Sequence, residues 1–126
     1  TGFYRALAEK ATRTRATLRE LVDTLQAEGN IIAAYGAAAK GSTLLNFCGI
    51  NVADLAFVAE RSPHKQGKLM AGAHVPIVPA EELAQRAPDV TLLLAWNFAD
   101  EILAQQQTYR DAGGQFLIPI PEVRPV

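Results

Sequence analysis

One cysteine, Cys48, and two histidines, His64 and His74, are all the thiol and imidazole that 126 residues offer. An internal disulfide is excluded, and no Cys/His spacing suits a zinc ion, so no metal site is expected. Cys48 lies among Leu44, Leu45 and Phe47, where it reads as a core thiol. No stretch has the make-up of a signal peptide and no apolar run is long enough to span a bilayer, so a cytoplasmic setting is expected. Charge of one sign is also lacking: 12 basic residues stand against 13 acidic ones, a net of −1. Without a global field, nucleic acid and acidic membrane surfaces are not expected partners. Two phosphate motifs are missing as well. The dinucleotide fingerprint G-x-G-x-x-G is absent, because Ala37, Ala38, Ala39 and Lys40 separate Gly36 from Gly41. A Walker loop needs its lysine after the second glycine, whereas Lys40 precedes Gly41, and this argues against nucleotide hydrolysis.

What is present is organised around Asn30 to Ile50. The apolar run Ile31–Tyr35 is too short for a helix and ends at Gly36, as a strand buried on both faces does. Small residues follow, then Lys40-Gly41-Ser42-Thr43, then Leu44, Leu45 and Phe47, with Gly49 placed to stop a short helix. A strand, a glycine turn and a helix N-terminus together form an anion site, since the unpaired N–H groups and the helix dipole favour phosphate or carboxylate. The competing reading is a turn of small residues built for packing alone.

The length fits one domain with a real core. From Phe3 to about Glu28, apolar residues recur at threes and fours and Gly29 ends the pattern, giving one long helix with a polar middle carrying Arg13 and Arg15. That interruption, and the absence of any loop before it, suit a helix over residues 1–29 that leads in from a preceding domain, although a solvated helix is the simpler explanation for the arginines. Leu55–Ala59 is a second strand, closed by Glu60 and Arg61. Glu60 stands 24 positions past Gly36, near the acidic position that accepts ribose hydroxyls in dinucleotide folds. A strand-end carboxylate also serves solubility, and both readings stand.

Ser62–Gly72 is a polar loop carrying His64, Lys65 and Lys68. It reads either as a mobile flap over bound phosphates or as a plain surface connector. Pro76 marks the extended segment His74–Val78 as an edge or connector. Pro79 is expected to open a helix that has Glu81 and Glu82 in its first turn and stops at Pro88. Val90–Ala95 is a third strand, Asn97 is placed to cap the helix after it, Gly113-Gly114 ends that helix, and Gln115–Ile118 is the last strand. The order alternates α and β, which implies a Rossmann-like three-layer fold with a mostly parallel sheet and helices on both faces. Lys40 with Ser42, Glu60 with Arg61, and Asn97 would then gather at the carboxyl edge of the sheet.

Five ordered stretches carry a resemblance: Y-G-A-A-A-K-G-S-T-L-L-N from Tyr35, P-H-K-Q-G-K from Pro63, G-A-H-V-P-I from Gly72, L-A-W-N-F-A-D-E-I from Leu94 and I-P-I-P-E from Ile118. Over essentially the whole chain the sequence resembles the C-terminal domain of S-adenosylmethionine-dependent sugar C-methyltransferases, which act on nucleotide-linked deoxyketosugars. It departs from that pattern at Ser42, Glu60 and Ala71, where Asn, Asp and Pro are more usual. The resemblance implies a single Rossmann-like domain, residues 1–126, that follows zinc-binding and methyl-transfer domains and packs on the latter. It also implies that S-adenosylmethionine and the catalytic acid-base residues belong to the methyl-transfer domain, with no catalytic residue here. There a base would remove a proton beside the sugar ketone and the carbanion would attack the cofactor's methyl group. This domain would help hold the nucleotide-sugar, with Gly36, Lys40, Gly41, Ser42, Glu60, Arg61, Lys65, Lys68 and Asn97 as candidate contacts. Two other classes of function remain open on sequence: a stand-alone nucleotide- or dinucleotide-binding module, and a purely structural Rossmann-like domain.

Overall fold

A computed structural model of the chain describes residues 15–118 and 124–125. The first helix, α1 (Arg15–Ala27), leads to strand β1 (Ile32–Tyr35), helix α2 (Ala39–Cys48), and strands β2 (Val58–Glu60) and β3 (Ile77–Pro79). Then come helix α3 (Glu82–Arg86), strand β4 (Val90–Leu93), a 3-10 turn at Trp96–Phe98, helices α4 (Ala99–Gln105) and α5 (Gln107–Asp111), and strands β5 (Gln115–Ile118) and β6 (Arg124–Pro125). The strands form one sheet in the order β3-β2-β1-β4-β5-β6. The first five run parallel, and β6 pairs antiparallel with β5 through Leu117–Pro125 and Ile118–Arg124. This is the doubly wound arrangement expected from the α/β alternation, and the strand order reverses between β1 and β4.

Strand alternation splits the core in two. Ile32 and Ala34 of β1 join Leu92 of β4, Leu117 of β5 and Leu45 of α2 on one face. Ala33 and Tyr35 join Leu93, Phe116, Leu83 and Tyr109 on the other. Every residue of β1 and of β4 is buried, as befits central parallel strands. Helix α1 presents Leu18, Leu21, Val22 and Leu25 to the first face, a spacing of threes and fours. Burial of each contributes about 2 kcal/mol. The part of the expected long helix before Arg15 lies outside the described residues.

Several boundaries differ from the sequence reading. The second strand is displaced to Val58–Glu60, although its pairing begins earlier, with Ala56 N–H donating to Ile32 and Ala34 N–H to Phe57. Pro79 ends β3 instead of opening a helix: it pairs with Glu60, so the chain needs Ala80 and Glu81 to leave the sheet before α3 starts. β3 is an edge strand, in keeping with Pro76 just before it. β4 stops at Leu93, because the Leu94 and Ala95 N–H groups both turn to the Tyr35 carbonyl, at 2.8 and 3.3 Å. The helix expected after Trp96 breaks at Gln106.

Two glycines set the distances at the carboxyl edge. Gly36 has φ 100°, and a Cβ there would lie 2.6 Å from the Ala95 Cβ and 2.9 Å from its nitrogen. Only glycine lets β1 turn this close to the end of β4. Gly41 faces inward from α2, where a Cβ would stand 2.8 Å from that of Leu94, so the helix lies directly on the sheet.

Candidate functional site

At the carboxyl edge, beside the reversal of strand order, a crevice of about 510 Å³ opens. Tyr35, Gly36 and Ala38 line it from the β1–α2 turn, Glu60 to Ser62 and Lys65 from the end of β2, and Ala95, Phe98, Glu101 and Ile102 from beyond β4. Open α/β folds bind ligands at this position. Ala38, in the capping position of α2, provides no side-chain cap, and the first turn of the helix holds no acidic residue. The positive end of the helix therefore meets the crevice with no acidic residue in its own first turn, and the carboxylate beside it is that of Glu60.

Glu60 bridges two walls. Its Oε1 accepts the Ala37 N–H at 2.7 Å and its Oε2 the Ser62 N–H at 2.8 Å, so the carboxylate clamps the β1–α2 turn to the end of β2. Arg61 stands exposed at the rim, with Nη1 3.5 Å from Glu101 Oε1 across the crevice. An exposed pair at this distance binds weakly and yields to a better anion. Lys65 is exposed on the same rim, in a turn closed by its N–H to the Ser62 carbonyl at 3.1 Å. Two mobile cations and a helix N-terminus thus face one volume, which is a setting for a phosphate or carboxylate.

The sequence pattern of the family described as C-methyltransferase C-terminal domain matches residues 1–121. This chain belongs to that family. A relative is the C-methyltransferase NovU of Streptomyces niveus, 43% identical over 121 residues. The match takes in 96% of this chain and 29% of the relative, so the chain spans less than a third of that enzyme's length.

Within this C-methyltransferase C-terminal domain the candidate contacts divide. Gly36, Glu60, Arg61 and Lys65 meet at the crevice. Lys40 does not line it; it borders a separate shallow groove with Ala39, Thr43, Leu44, Phe47 and Trp96. Gly41 is buried against Leu94. Ser42 donates its hydroxyl to the Ala71 carbonyl at 2.8 Å, and Asn46 Nδ2 donates to the same oxygen at 3.1 Å, so the two latch the Ser62–Gly72 loop to α2. Asn97 is exposed within the 3-10 turn and is not the cap of α4. The capping position falls to Phe98, which makes no side-chain cap, because β4 ends early and the turn intervenes.

The loop itself is pinned over its second half. Gly67 N–H donates to Ile77 O, Ile77 N–H to Lys68 O and Met70 N–H to Val75 O, each at 2.8 Å, and Met70 is buried. Lys68 sits on this pinned strip and does not line the crevice, which leaves Ser62–Lys65 as the part that faces it. Sequence reasoning missed Tyr35, Phe98 and Glu101. Tyr35 reads as one more apolar strand residue, and only its place next to Gly36 hints at an edge position.

Among the described residues no group of three or more His, Cys, Asp and Glu side chains is placed to hold a metal. No helix among them is long and apolar enough to cross a membrane.

Proposed function

We propose that this domain holds a nucleotide-linked sugar by its diphosphate, in a crevice that a preceding methyl-transfer domain completes, while that domain binds S-adenosylmethionine and carries out the C-methylation. The observation that carries the reading is the convergence of Arg61, Lys65 and the uncapped start of α2 on one volume. A diphosphate is an anion that such a set draws, since its charge would meet Arg61, Lys65 and the positive end of α2. Phe98, exposed at the crevice, adds an apolar wall for a flat or ring-shaped portion of the ligand.

The crevice fits S-adenosylmethionine poorly. A sulfonium cation would be repelled by Arg61 and Lys65, while the carboxylates on the same walls are engaged, Glu101 with Arg61 and Glu60 with two backbone N–H groups. S-Adenosylmethionine bound on the preceding domain would supply the methyl group; the residues here would bind the substrate and orient it. NovU's name supports methyl transfer as the chemistry of a longer enzyme of this kind.

The reading is tested in the full-length protein by steady-state kinetics on a nucleotide-linked ketosugar. Arg61→Ala and Lys65→Ala are each expected to raise the sugar substrate's KM about ten-fold, the loss of one charge-assisted hydrogen bond, while the KM for S-adenosylmethionine stays the same. An unchanged sugar KM in both variants would refute the proposal.

A further inference from the structure

Tyr35 is the last residue of β1 and only 2% exposed, yet no group among the described residues meets its hydroxyl in hydrogen-bonding geometry. Among the described residues it is the one buried side-chain polar atom left in this state. Phenylalanine would fill the same space without stranding a polar atom, so the hydroxyl is a cost to the ligand-free fold. The position is informative. Tyr35 lines both the crevice and an adjoining polar cavity of about 620 Å³ bounded by Arg61, Glu81, Gln85, Gln105 and Gln106, and Arg61 borders the two as well. The other charged neighbours acting on the phenol are Glu60 and Glu81; Gln106 approaches without reaching hydrogen-bonding geometry. Burial pushes the phenol's pKa up, which keeps it a donor at neutral pH.

We infer that Tyr35 is a ligand-binding residue of the crevice, whose hydroxyl donates a hydrogen bond to an oxygen of the diphosphate once that anion has drawn Arg61 away from Glu101. The inference rests on the proposed reading of the site and adds a buried, orienting donor to its mobile cations. The 3.5 Å pair between Arg61 and Glu101 is weak enough to open, and with the side chain of Arg61 at 59% exposure the guanidinium is free to swing. The hydroxyl, fixed at the end of a central strand, cannot follow the ligand about. It therefore selects for a position of the anion, where a surface lysine selects only for charge.

The test is calorimetry on the full-length protein with uridine diphosphate and thymidine diphosphate as probes, together with thermal unfolding with and without each nucleotide. For Tyr35→Phe the expected result is a Tm without nucleotide equal to or above that of the parent, and affinity for the better nucleotide weakened about ten-fold. Arg61→Ala is measured alongside. If Arg61→Ala weakens binding and Tyr35→Phe does not, the role given to Tyr35 is wrong and the site reading survives. Should neither variant bind more weakly than the parent, or the parent bind neither nucleotide, the site reading fails and takes this inference with it. A lowered Tm for nucleotide-free Tyr35→Phe would show that the hydroxyl has a partner within the fold, and that too overturns the inference.

Discussion

Tyrosine to phenylalanine is expected to act in opposite ways at Tyr35 and Tyr109, though both are buried. The Tyr109 hydroxyl donates to the Pro88 carbonyl at 2.8 Å and accepts from the Thr91 hydroxyl at 2.9 Å, so its removal strands two buried groups. Tyr109→Phe should cost about 2 kcal/mol in urea unfolding, whereas removing the unpartnered Tyr35 hydroxyl should cost nothing. Gly36→Ala should cost about 3 kcal/mol by the same measurement, combining a left-handed φ with overlap against Ala95. Acid stability has a local source at Asp54. The Arg19 guanidinium grips its carboxylate at 2.6 and 2.8 Å, and this pairing holds the Asp54 pKa below its ordinary 3.8. A folded-state pKa below the unfolded one means that the unfolded chain takes up the proton first. The stabilisation is therefore fully present above the unfolded value and is lost as pH falls through the folded one. Asp54→Asn should remove that part of the acid-side decline and lower stability at neutral pH by about 2 kcal/mol, read from urea midpoints across pH.

Among the elements, α3 carries a correctable strain. It ends at Ala87, which adopts φ 46° and ψ 58°, a left-handed conformation that favours glycine. Ala87→Gly should raise stability by about 1 kcal/mol in urea unfolding, since the cap geometry is already formed. The loop after β2 reads from its polar composition either as a mobile flap or as a connector, and its second half carries backbone bonds to the β3 segment and the latch to Ser42 and Asn46. In hydrogen exchange on the full-length protein, the Gly67 and Met70 amides should be protected with or without nucleotide-sugar. Any gain on binding should concentrate at Ser62–Lys65, which carries the crevice-facing lysine. Composition does not show this pairing, because backbone bonds do not depend on polar or apolar side chains. A strip of Gln66 to Leu69 reads as loop until the edge it joins is known.

For the whole molecule, a chain that spans 29% of NovU is proposed to supply one wall of a site and no chemistry. The purified 126 residues should accordingly transfer no methyl group from radiolabelled S-adenosylmethionine, and turnover would mean that the reacting groups lie in this domain. Much of the architecture was legible in the sequence. The apolar runs at Ile31–Tyr35 and Val90–Ala95, the threes-and-fours spacing in α1, and the stop at Gly49 are local patterns set by short-range sterics and burial, and they determined the α/β alternation and the parallel sheet. Gly36 and Glu60 were legible for a similar reason: a turn after the first strand and a carboxylate closing the second must both fall at the carboxyl edge of neighbouring strands. Which candidates share a volume was not legible, because it depends on how each polar group spends its hydrogen bonds. Ser42 and Lys40 lie on either side of Gly41 in sequence, yet α2 turns the one to the Ala71 carbonyl and the other to the groove beside Trp96. Tyr35 reads as one more core residue in the sequence, and only the packing around the end of β1 leaves its hydroxyl buried without a partner among the described residues. Local pattern thus determined the strands and their order along the chain, and the tertiary structure decided the site, since contact between residues more than twenty positions apart is a property of the packed sheet and of no single stretch of sequence.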